Sequence, residues 1–479
     1  MPKFSHAISQ TILYGFSIVI MKGISILMLP FIAHQLSQEA FGKLEVLSSF
    51  AIVVSILVGL GLEDTLYRFA GQATSAAERK RIAARIFGLG AIAGAIALAI
   101  VWFSADSLSR LLPGDISVYE VRLIMLVLAL EGLIAVPMGW LRMQDRVLSF
   151  FSLSISRAAI HATLILVMLQ PGDDITAVLE AGLVAATIQA IVLAFLQIRD
   201  TGISIRLTRD GSLIRYSLPI VGSGLIAFVL NGLDRWVIAD QAGLAQVAEY
   251  GVASKFALAA VLLLQPFGMW WSPKRFQIAA QPGGKQTAER IIGIGISLCL
   301  ITCVAVSTGA PVLVDLLMPS EYVLASSYAL GLVLAMTLRE ISELINIGCY
   351  INRSTLVQFW INLSSSVIGL IIMLTAVGEL GVWGVIVALI SAQLIRLLLF
   401  FLASQSVYRL NYPLPSIGLL AAQALVWLGF STQLDGLVYQ FSYAFLASAA
   451  MLASAVALKL IPLPSRGNTL TAKPGLAEW

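Results

Sequence analysis

Apolar residues run along almost the whole chain in stretches of about twenty, separated by short polar segments. A helix crossing about 30 Å of hydrocarbon needs about 20 such residues. Read in that window, the pattern predicts fourteen helices, at about 9–34, 45–67, 86–105, 121–141, 148–169, 177–197, 216–240, 248–271, 291–317, 325–349, 356–377, 381–403, 414–432 and 438–460. The stretch at 414–432 is short and holds Gln423 in its middle. The first stretch follows only Lys3 and His6, exceeds the length of a signal-peptide core and carries Lys22 at its centre, so it reads as a retained helix. The short alternating segments of a β-barrel are missing. The expected fold is an all-α polytopic membrane protein with about 14 transmembrane helices.

Composition points the same way. Of the 479 residues, 59% are hydrophobic and 12% charged, and the mean hydropathy is +0.91. A soluble protein carries roughly twice that charge fraction. A soluble enzyme, a disordered scaffold and a secreted disulfide framework are therefore excluded together. The cysteines Cys299, Cys303 and Cys349 sit in apolar runs and read as small buried hydrophobes. The net charge of +4 matters less than where the charges fall. With the N-terminus in the cytoplasm, the even-to-odd connections and both tails collect nineteen Lys and Arg residues, Arg79, Lys80, Arg81 and Arg85 among them. The opposite side holds Lys43, Arg110 and Arg122. This is the positive-inside asymmetry, and it places both termini in the cytoplasm.

No connection is long enough to be a domain; the longest, around 70–85, 198–215 and 272–290, are short and basic. Their basic residues read as topology determinants, and no nucleic-acid partner is expected. The nearest approach to a phosphate-cradling loop is Gly283-Gly284-Lys285-Gln286-Thr287, which lacks the spaced first glycine and a Ser or Thr directly after the lysine. The three histidines, His6, His34 and His161, are far apart and form no zinc pattern. No metal, no cofactor and no catalytic residue is expected.

The chain also repeats itself. Shifted by 206 residues, 32–51 falls on 238–257 without a gap, and seven of twenty positions are identical: Ile32/Ile238, Ala33/Ala239, Gln35/Gln241, Val46/Val252, Ser48/Ser254, Phe50/Phe256 and Ala51/Ala257. The offset maps the first span onto the seventh. Six crossings separate the copies, so both share one orientation and are related by a pseudo-two-fold along the membrane normal, as in transporters built from parallel repeats. The expected organisation is an N-lobe of six helices over 1–198, a C-lobe of six over 199–410, and two extra helices with a cytoplasmic tail over 411–479.

Ionisable residues inside spans cost about 2.5–3.5 kcal/mol each on insertion scales, so they face the bundle interior or a wet cavity. The predicted spans contain Lys22, Glu131, Arg157, Glu180, Asp234, Arg235, Lys255, Arg339, Glu340, Glu343 and Arg396. Lys22, Glu131 and Arg157 fall near the middle of their spans, whereas Arg235 and Lys255 lie in the outer half of adjacent spans. Arg157 and Glu131, at equal depth on consecutive helices, read as an ion pair or as ligand contacts. His161 shares the face of Arg157, four residues away, and is either packed by a hydrogen bond or a proton relay. Arg339 and Glu343 are also four apart and can satisfy each other. Asp234 and Arg235, about 100° apart on a helix, are expected not to pair face to face. Lys22 and Lys255 have no partner three or four residues away, which leaves Lys22, Arg235 and Lys255 as the foremost ligand candidates. An interior rich in cations suits an anion, because arginine forks match phosphate oxygens and lysine supplies a point charge. A phosphorylated lipid head group fits both the charge and the membrane.

Gly61-Leu62, Leu66 and Arg68-Phe69, then Leu218-Pro219, Asp234-Arg235 with Ile238, and Tyr250, Ala253 and Lys255 form a pattern that resembles the Wzx-type polysaccharide biosynthesis flippases. Glu321-Tyr322 adds to it. These flippases belong to the oligosaccharidyl-lipid/polysaccharide exporter family of the MOP/MATE-like superfamily. The resemblance spans roughly residues 8–410 and departs at Ser37 and Pro319, where the family tends to have glycine, and at Phe41, where it often has tyrosine. It implies a flippase for undecaprenyl-pyrophosphate-linked oligosaccharide (O-antigen, exopolysaccharide or capsule repeat unit) in the bacterial inner membrane, working by alternating access. It also implies membrane lipid, a polysaccharide polymerase and chain-length machinery as partners. By the same resemblance Arg235 and Lys255, with Lys22 and Arg157, are expected to meet the pyrophosphate. Glu131, Asp234, His161, Arg339 and Glu343 are expected to be polar cavity or coupling residues. The rivals are a multidrug or metabolite antiporter of the same superfamily and a membrane glycosyltransferase or ligase.

Overall fold

A computed structural model describes residues 20–172, 174–205, 212–351, 356–431, 433–434 and 436–462. The start of the first predicted span, with Lys3 and His6, lies outside the described residues, as do Asp173, Arg206, Arg209, Arg353, Arg466 and Lys473. The chain runs through α1 (Ile20–Gln35), α2 (Gln38–Gly59), α3 (Leu62–Gly71), α4 (Ala76–Leu111), α5 (Val118–Ala129), α6 (Glu131–Met143), α7 (Val147–Met168) and α8 (Thr176–Thr201). It continues through α9 (Ser212–Asn231), α10 (Leu233–Gln241), α11 (Leu244–Ala280), α12 (Gly284–Leu317), a single 3-10 turn at Ser320–Tyr322, α13 (Leu324–Ile345) and the short α14 (Gly348–Ile351). Last come α15 (Leu356–Leu380), α16 (Val382–Val407), α17 (Leu414–Ser431) and α18 (Leu437–Ala457). Among the described residues thirteen segments are long and apolar enough to cross a membrane and α1 is a shorter apolar helix; the fold is all-α with about 14 spans, as the hydropathy pattern predicts. Large apolar side chains point outward along these helices, Phe103 at 86% exposure and Leu27 at 79%. Such continuous apolar surface needs lipid and not water around it.

Three spans that read as continuous in the sequence are broken near their middles. Leu60 and Gly61 take left-handed φ values of 48° and 57° between α2 and α3. The chain tightens at Leu130 between α5 and α6, where its N–H reaches the Val127 carbonyl at 3.2 Å. A third break at Gly232 separates α9 from α10. Each break starts a new helix with an acid in its first turn: Glu63 and Asp64 on α3, Glu131 on α6 and Asp234 on α10. Free N–H groups and the positive end of the helix dipole stabilise a carboxylate there. Glu63, Asp64, Glu131 and Asp234 thus sit where the backbone itself compensates them.

Two basic connections expected as loops are helical instead. Arg79, Lys80, Arg81 and Arg85 ride on α4, which Ser75 caps by accepting the Glu78 N–H at 3.1 Å; Lys274 and Arg275 extend α11, and Lys285 and Arg290 open α12. At one end of the bundle, called here the Ser37 end, the turns pack on each other: Gly172 N–H donates to the Gln35 carbonyl at 3.0 Å and Lys43 Nζ to the Asp115 carbonyl at 3.3 Å. The opposite, Asp200, end is tied by the Ser204 N–H to the Ala84 carbonyl at 3.0 Å, and by Asp200 accepting from Lys80 at 2.9 Å, Trp140 at 2.8 Å and Gln144 at 2.7 Å.

Close helix crossings depend on glycine. Where α4 passes α6, a Cβ on Gly132 would stand 2.6 Å from Gly90 Cα and 2.7 Å from its carbonyl oxygen, which are backbone and cannot turn aside. Small residues at such crossings let backbones approach within a membrane. Gly132→Val is expected to destabilise the protein by about 1–3 kcal/mol, the range for overpacking. The thermal unfolding midpoint in detergent checks it, and an unchanged midpoint contradicts the crossing. α17 and α18 pack on α12, with Gln440 Nε2 donating to Asp315 Oδ2 at 3.0 Å.

Candidate functional site

Helix α2 packs on α9, α10 and α11, and α3 on α9, and so they join the helices before residue 205 to those after 212. At the Ser37 end α2 crosses α11 so closely that neither Gly42 nor Gly251 has room for a side chain. A Cβ on Gly251 would stand 2.5 Å from Glu45 Cγ. Glu45 fills that space and is 4% exposed. Its Oε2 accepts from Arg235 Nε at 3.0 Å and its Oε1 from Lys255 Nζ at 2.9 Å. Arg235 also reaches Asp234 Oδ1 at 3.2 Å and donates to Ser254 Oγ at 3.2 Å, while the Tyr250 hydroxyl donates to Asp234 Oδ2. Two carboxylates meet two cations in a buried, charge-balanced cluster. Around it Gln38 Nε2 donates to Glu249 Oε1 at 3.3 Å and to the Glu321 carbonyl at 2.9 Å, and Phe41 meets Tyr322 edge-on with ring centroids 6.0 Å apart.

The structure therefore joins Asp234, Arg235 and Lys255, and adds Glu45, which the sequence reading missed because the second span was drawn to begin there. One signal was present: the 206-residue repeat sets Glu45 opposite Gly251, a large side chain against none. The expectation that Asp234 and Arg235 do not pair is corrected. The 100° separation applies to helix faces, whereas the arginine is long enough to fold back over its neighbour at the start of α10. Asp234 Oδ1 also accepts the Arg235 backbone N–H at 2.9 Å. Ser37, a departure from the family pattern, caps α2 by accepting the Ala40 N–H at 3.2 Å.

The other candidates lie elsewhere. Lys22 is half-buried on α1 and makes no ion pair among the described residues. Its neighbours Met21 and Ile24 line a cavity of about 230 Å³ that also meets Glu45, Ser48, His161 and Lys255. His161 is packed by its Nε2 against the Val178 carbonyl at 3.3 Å. Arg157 makes no direct ion pair with Glu131 among the described residues; its Nη1 donates to Gln189 Oε1 at 3.2 Å, and Gln189 in turn donates to the Leu153 carbonyl at 3.2 Å. Glu131 lies against Gly59, Cγ standing 3.8 Å from where that residue's Cβ would be. The expected Arg339–Glu343 pair does not form either. Glu343 is taken by Arg396 from α16 and by Asn346 Nδ2 at 2.9 Å, and Asn346 in turn accepts from Arg275 at 2.9 Å. A rival cation on another helix outcompetes the i,i+4 neighbour, which spacing along one helix cannot reveal.

At the Asp200 end the contact is lighter. The Arg68 guanidinium lies 4.4 Å from the centre of the Tyr216 ring and Phe69 meets that ring edge-on at 5.8 Å, joining α3 to α9.

Residues 8–279 match the family described as "Polysaccharide biosynthesis protein". That stretch is more than half of the chain and contains Glu45, Arg235 and Lys255. No curated protein matches. Among solved structures the chain is similar to "Lipid II flippase MurJ, inward closed conformation" at 13% identity and a TM-score of 0.71, over 94% of this chain and 99% of that one. It is similar to an inward-facing multidrug resistance MATE family transporter of the MOP superfamily at 14% identity and a TM-score of 0.64, over 83% and 97%. A variant of the Vibrio cholerae MATE transporter VcmN matches at 17% identity and 0.57, over 85% and 97%. At these identities the likeness shows the fold. The chain belongs to the polysaccharide biosynthesis protein family and has the fold that MurJ and the MATE transporters share.

Proposed function

We propose that the protein is a flippase that carries an oligosaccharide on undecaprenyl pyrophosphate across the bacterial inner membrane, from the cytoplasmic to the outer leaflet. Both termini are cytoplasmic in this reading, so the Ser37 end faces outward. The two lobes, 1–198 and 199–410, alternate about the central path while 411–479 is appended, and a polymerase with its chain-length machinery receives the product. What supports the two-fold relation is that the repeat mates Glu45 and Gly251 face each other, as residues near such an axis must.

One observation carries the reading: Glu45 of the first lobe holds Arg235 and Lys255 of the second. A pyrophosphate is a rival acceptor for the same two cations, matching the arginine fork and the lysine charge. When the head group takes them, Glu45 loses its partners and the outer contact between α2 and α11 loosens. The polyprenyl tail stays in lipid and the sugars cross in the interior. Closure at the Asp200 end then rests on Arg68 and Phe69 against Tyr216. The substrate drives opening only by binding the open state better than the closed one.

The test uses purified protein in liposomes holding a fluorescent oligosaccharide on polyprenyl pyrophosphate, with a membrane-impermeant quencher reporting head-group crossing. Protein-dependent crossing is expected, and imposed sodium or proton gradients reveal any coupling. Transport of a small cationic dye with no head-group crossing overturns the reading in favour of an antiporter.

A further inference from the structure

A cavity of about 410 Å³ lies between α9, α13, α15 and α16, apart from the Glu45 cluster. Its size falls in the range of small-molecule sites, about 300–1,000 Å³. Two guanidinium groups line it. Arg339 makes no ion pair within 4.0 Å among the described residues, where its printed contact is Met336 Sδ at 4.0 Å. Arg396 is held from one side, by Glu343 and by Asn362 Oδ1 at 2.8 Å, and its Nη1 is buried without a hydrogen bond among the described residues. Glu340 is the charged neighbour of Arg339 but lies toward Cys299 of α12 and is not among the lining residues, so the guanidinium still faces the cavity.

The remaining polar groups point two ways. Among the described residues Gln358 Nε2 is a second buried donor without a partner, and Gln393 Oε1 a buried acceptor without one. Ser223 and Ser365 spend their hydroxyl hydrogens on the carbonyls of Pro219, at 3.0 Å, and Ile361, at 2.7 Å, so both present lone pairs to the cavity. Unmet buried groups are costly, and several in one cavity mark a place where a ligand repays them. Pyrophosphate accepts hydrogen bonds and donates none, so it leaves Gln393 and both serines unmet. A sugar hydroxyl donates as well as accepts, and a carboxylate matches the guanidinium forks. Phe359 adds a ring on the cavity wall.

We propose that this cavity is a saccharide subsite for an acidic sugar, a uronate-type residue of the carried glycan. Arg339 and Arg396 take its carboxylate, and Gln358, Gln393 and the serines take its hydroxyls. The proposal rests on the flippase reading and deepens it, since it names a chemical class for the cargo. Set apart from the Arg235–Lys255 pair, the subsite reads the glycan while that pair reads the anchor.

The test titrates the full-length protein in nanodiscs with three probes by calorimetry: a glucuronate-containing trisaccharide, its all-glucose counterpart and inorganic pyrophosphate. The wild type is expected to bind the acidic trisaccharide at least about tenfold more tightly than the neutral one, the worth of one good charge-assisted contact. Arg339→Gln removes that preference and leaves pyrophosphate binding as it was; Arg339→Lys restores part of it. Gln393→Leu, which breaks no hydrogen bond among the described residues, weakens both trisaccharides. Equal affinity of the wild type for the two trisaccharides, or no binding of either, overturns the proposal. So does loss of pyrophosphate binding in Arg339→Gln, which makes the cavity an anchor site. The flippase reading fails separately, if wild-type liposomes move neither an acidic nor a neutral lipid-linked substrate while the calorimetric preference persists.

Discussion

Glu45→Gln is expected to abolish head-group crossing while leaving the protein inserted and folded. The substitution keeps the size of the side chain that fills the space over Gly251, but removes the charge that Arg235 and Lys255 share. Arg235 retains Asp234 and Ser254, whereas Lys255 loses its carboxylate altogether. Breaking a buried ion pair from one side costs about 3–5 kcal/mol, a change of roughly 10² to several times 10³ in a two-state population. The closed state of the Ser37 end bears that cost, since an open end lets water reach the lysine. Leu44, which lines the neighbouring cavity, supplies a probe. A cysteine placed there is expected to react with an impermeant maleimide added outside in the Glu45→Gln background and to resist it otherwise. The native cysteines are all buried. The double change Glu45→Gln with Lys255→Gln removes the stranded cation and is expected to recover part of the closure. Wild-type labelling and wild-type crossing in Glu45→Gln overturn the clamp.

The second large effect is steric. A methyl group on Gly42 would collide with the Leu244 carbonyl oxygen and stand 2.7 Å from its carbon. Backbone at the start of a long helix cannot move aside, so Gly42→Ala forces α2 and α11 apart at the crossing where Glu45 reaches its partners. Crossing of the head group is expected to fall by about tenfold or more, the rate equivalent of an overpacking strain of roughly 1–3 kcal/mol carried by one state of the cycle. Gly23→Ala is the control: among the described residues nothing lies within 4 Å of its added carbon, and transport is expected to stay at the wild-type rate. A Gly42→Ala protein that transports normally contradicts the tight crossing.

Much of the cation cluster was legible in advance, and its charge balance was not. Asp234, Arg235 and Lys255 stand out because a charge in an apolar run is costly wherever it points. Glu45 does not, because it follows Glu39 and Lys43 at the edge of a span and reads as part of a polar turn. The same limit separates Arg339 from Glu343. Spacing along a helix identifies neighbours on that helix, and the partner of Glu343 arrives on α16. Arg157 likewise finds Gln189 on α8, a neutral residue that a search for opposite charges passes over.

The membrane setting, the approximate number of spans and the presence of costly interior charges could all be read without a fold. Each of these follows from local composition, because lipid selects every crossing segment by its own length and polarity. Where the spans break, which acids therefore lie at helix starts, and which cations are held and which remain open emerged only from the packed helices. Those outcomes depend on helices distant in sequence approaching within hydrogen-bond reach. Glu45 meets Arg235 and Lys255 across some two hundred residues because two glycines let α2 and α11 touch. Arg339 is left facing a cavity because Arg396 reached Glu343 instead.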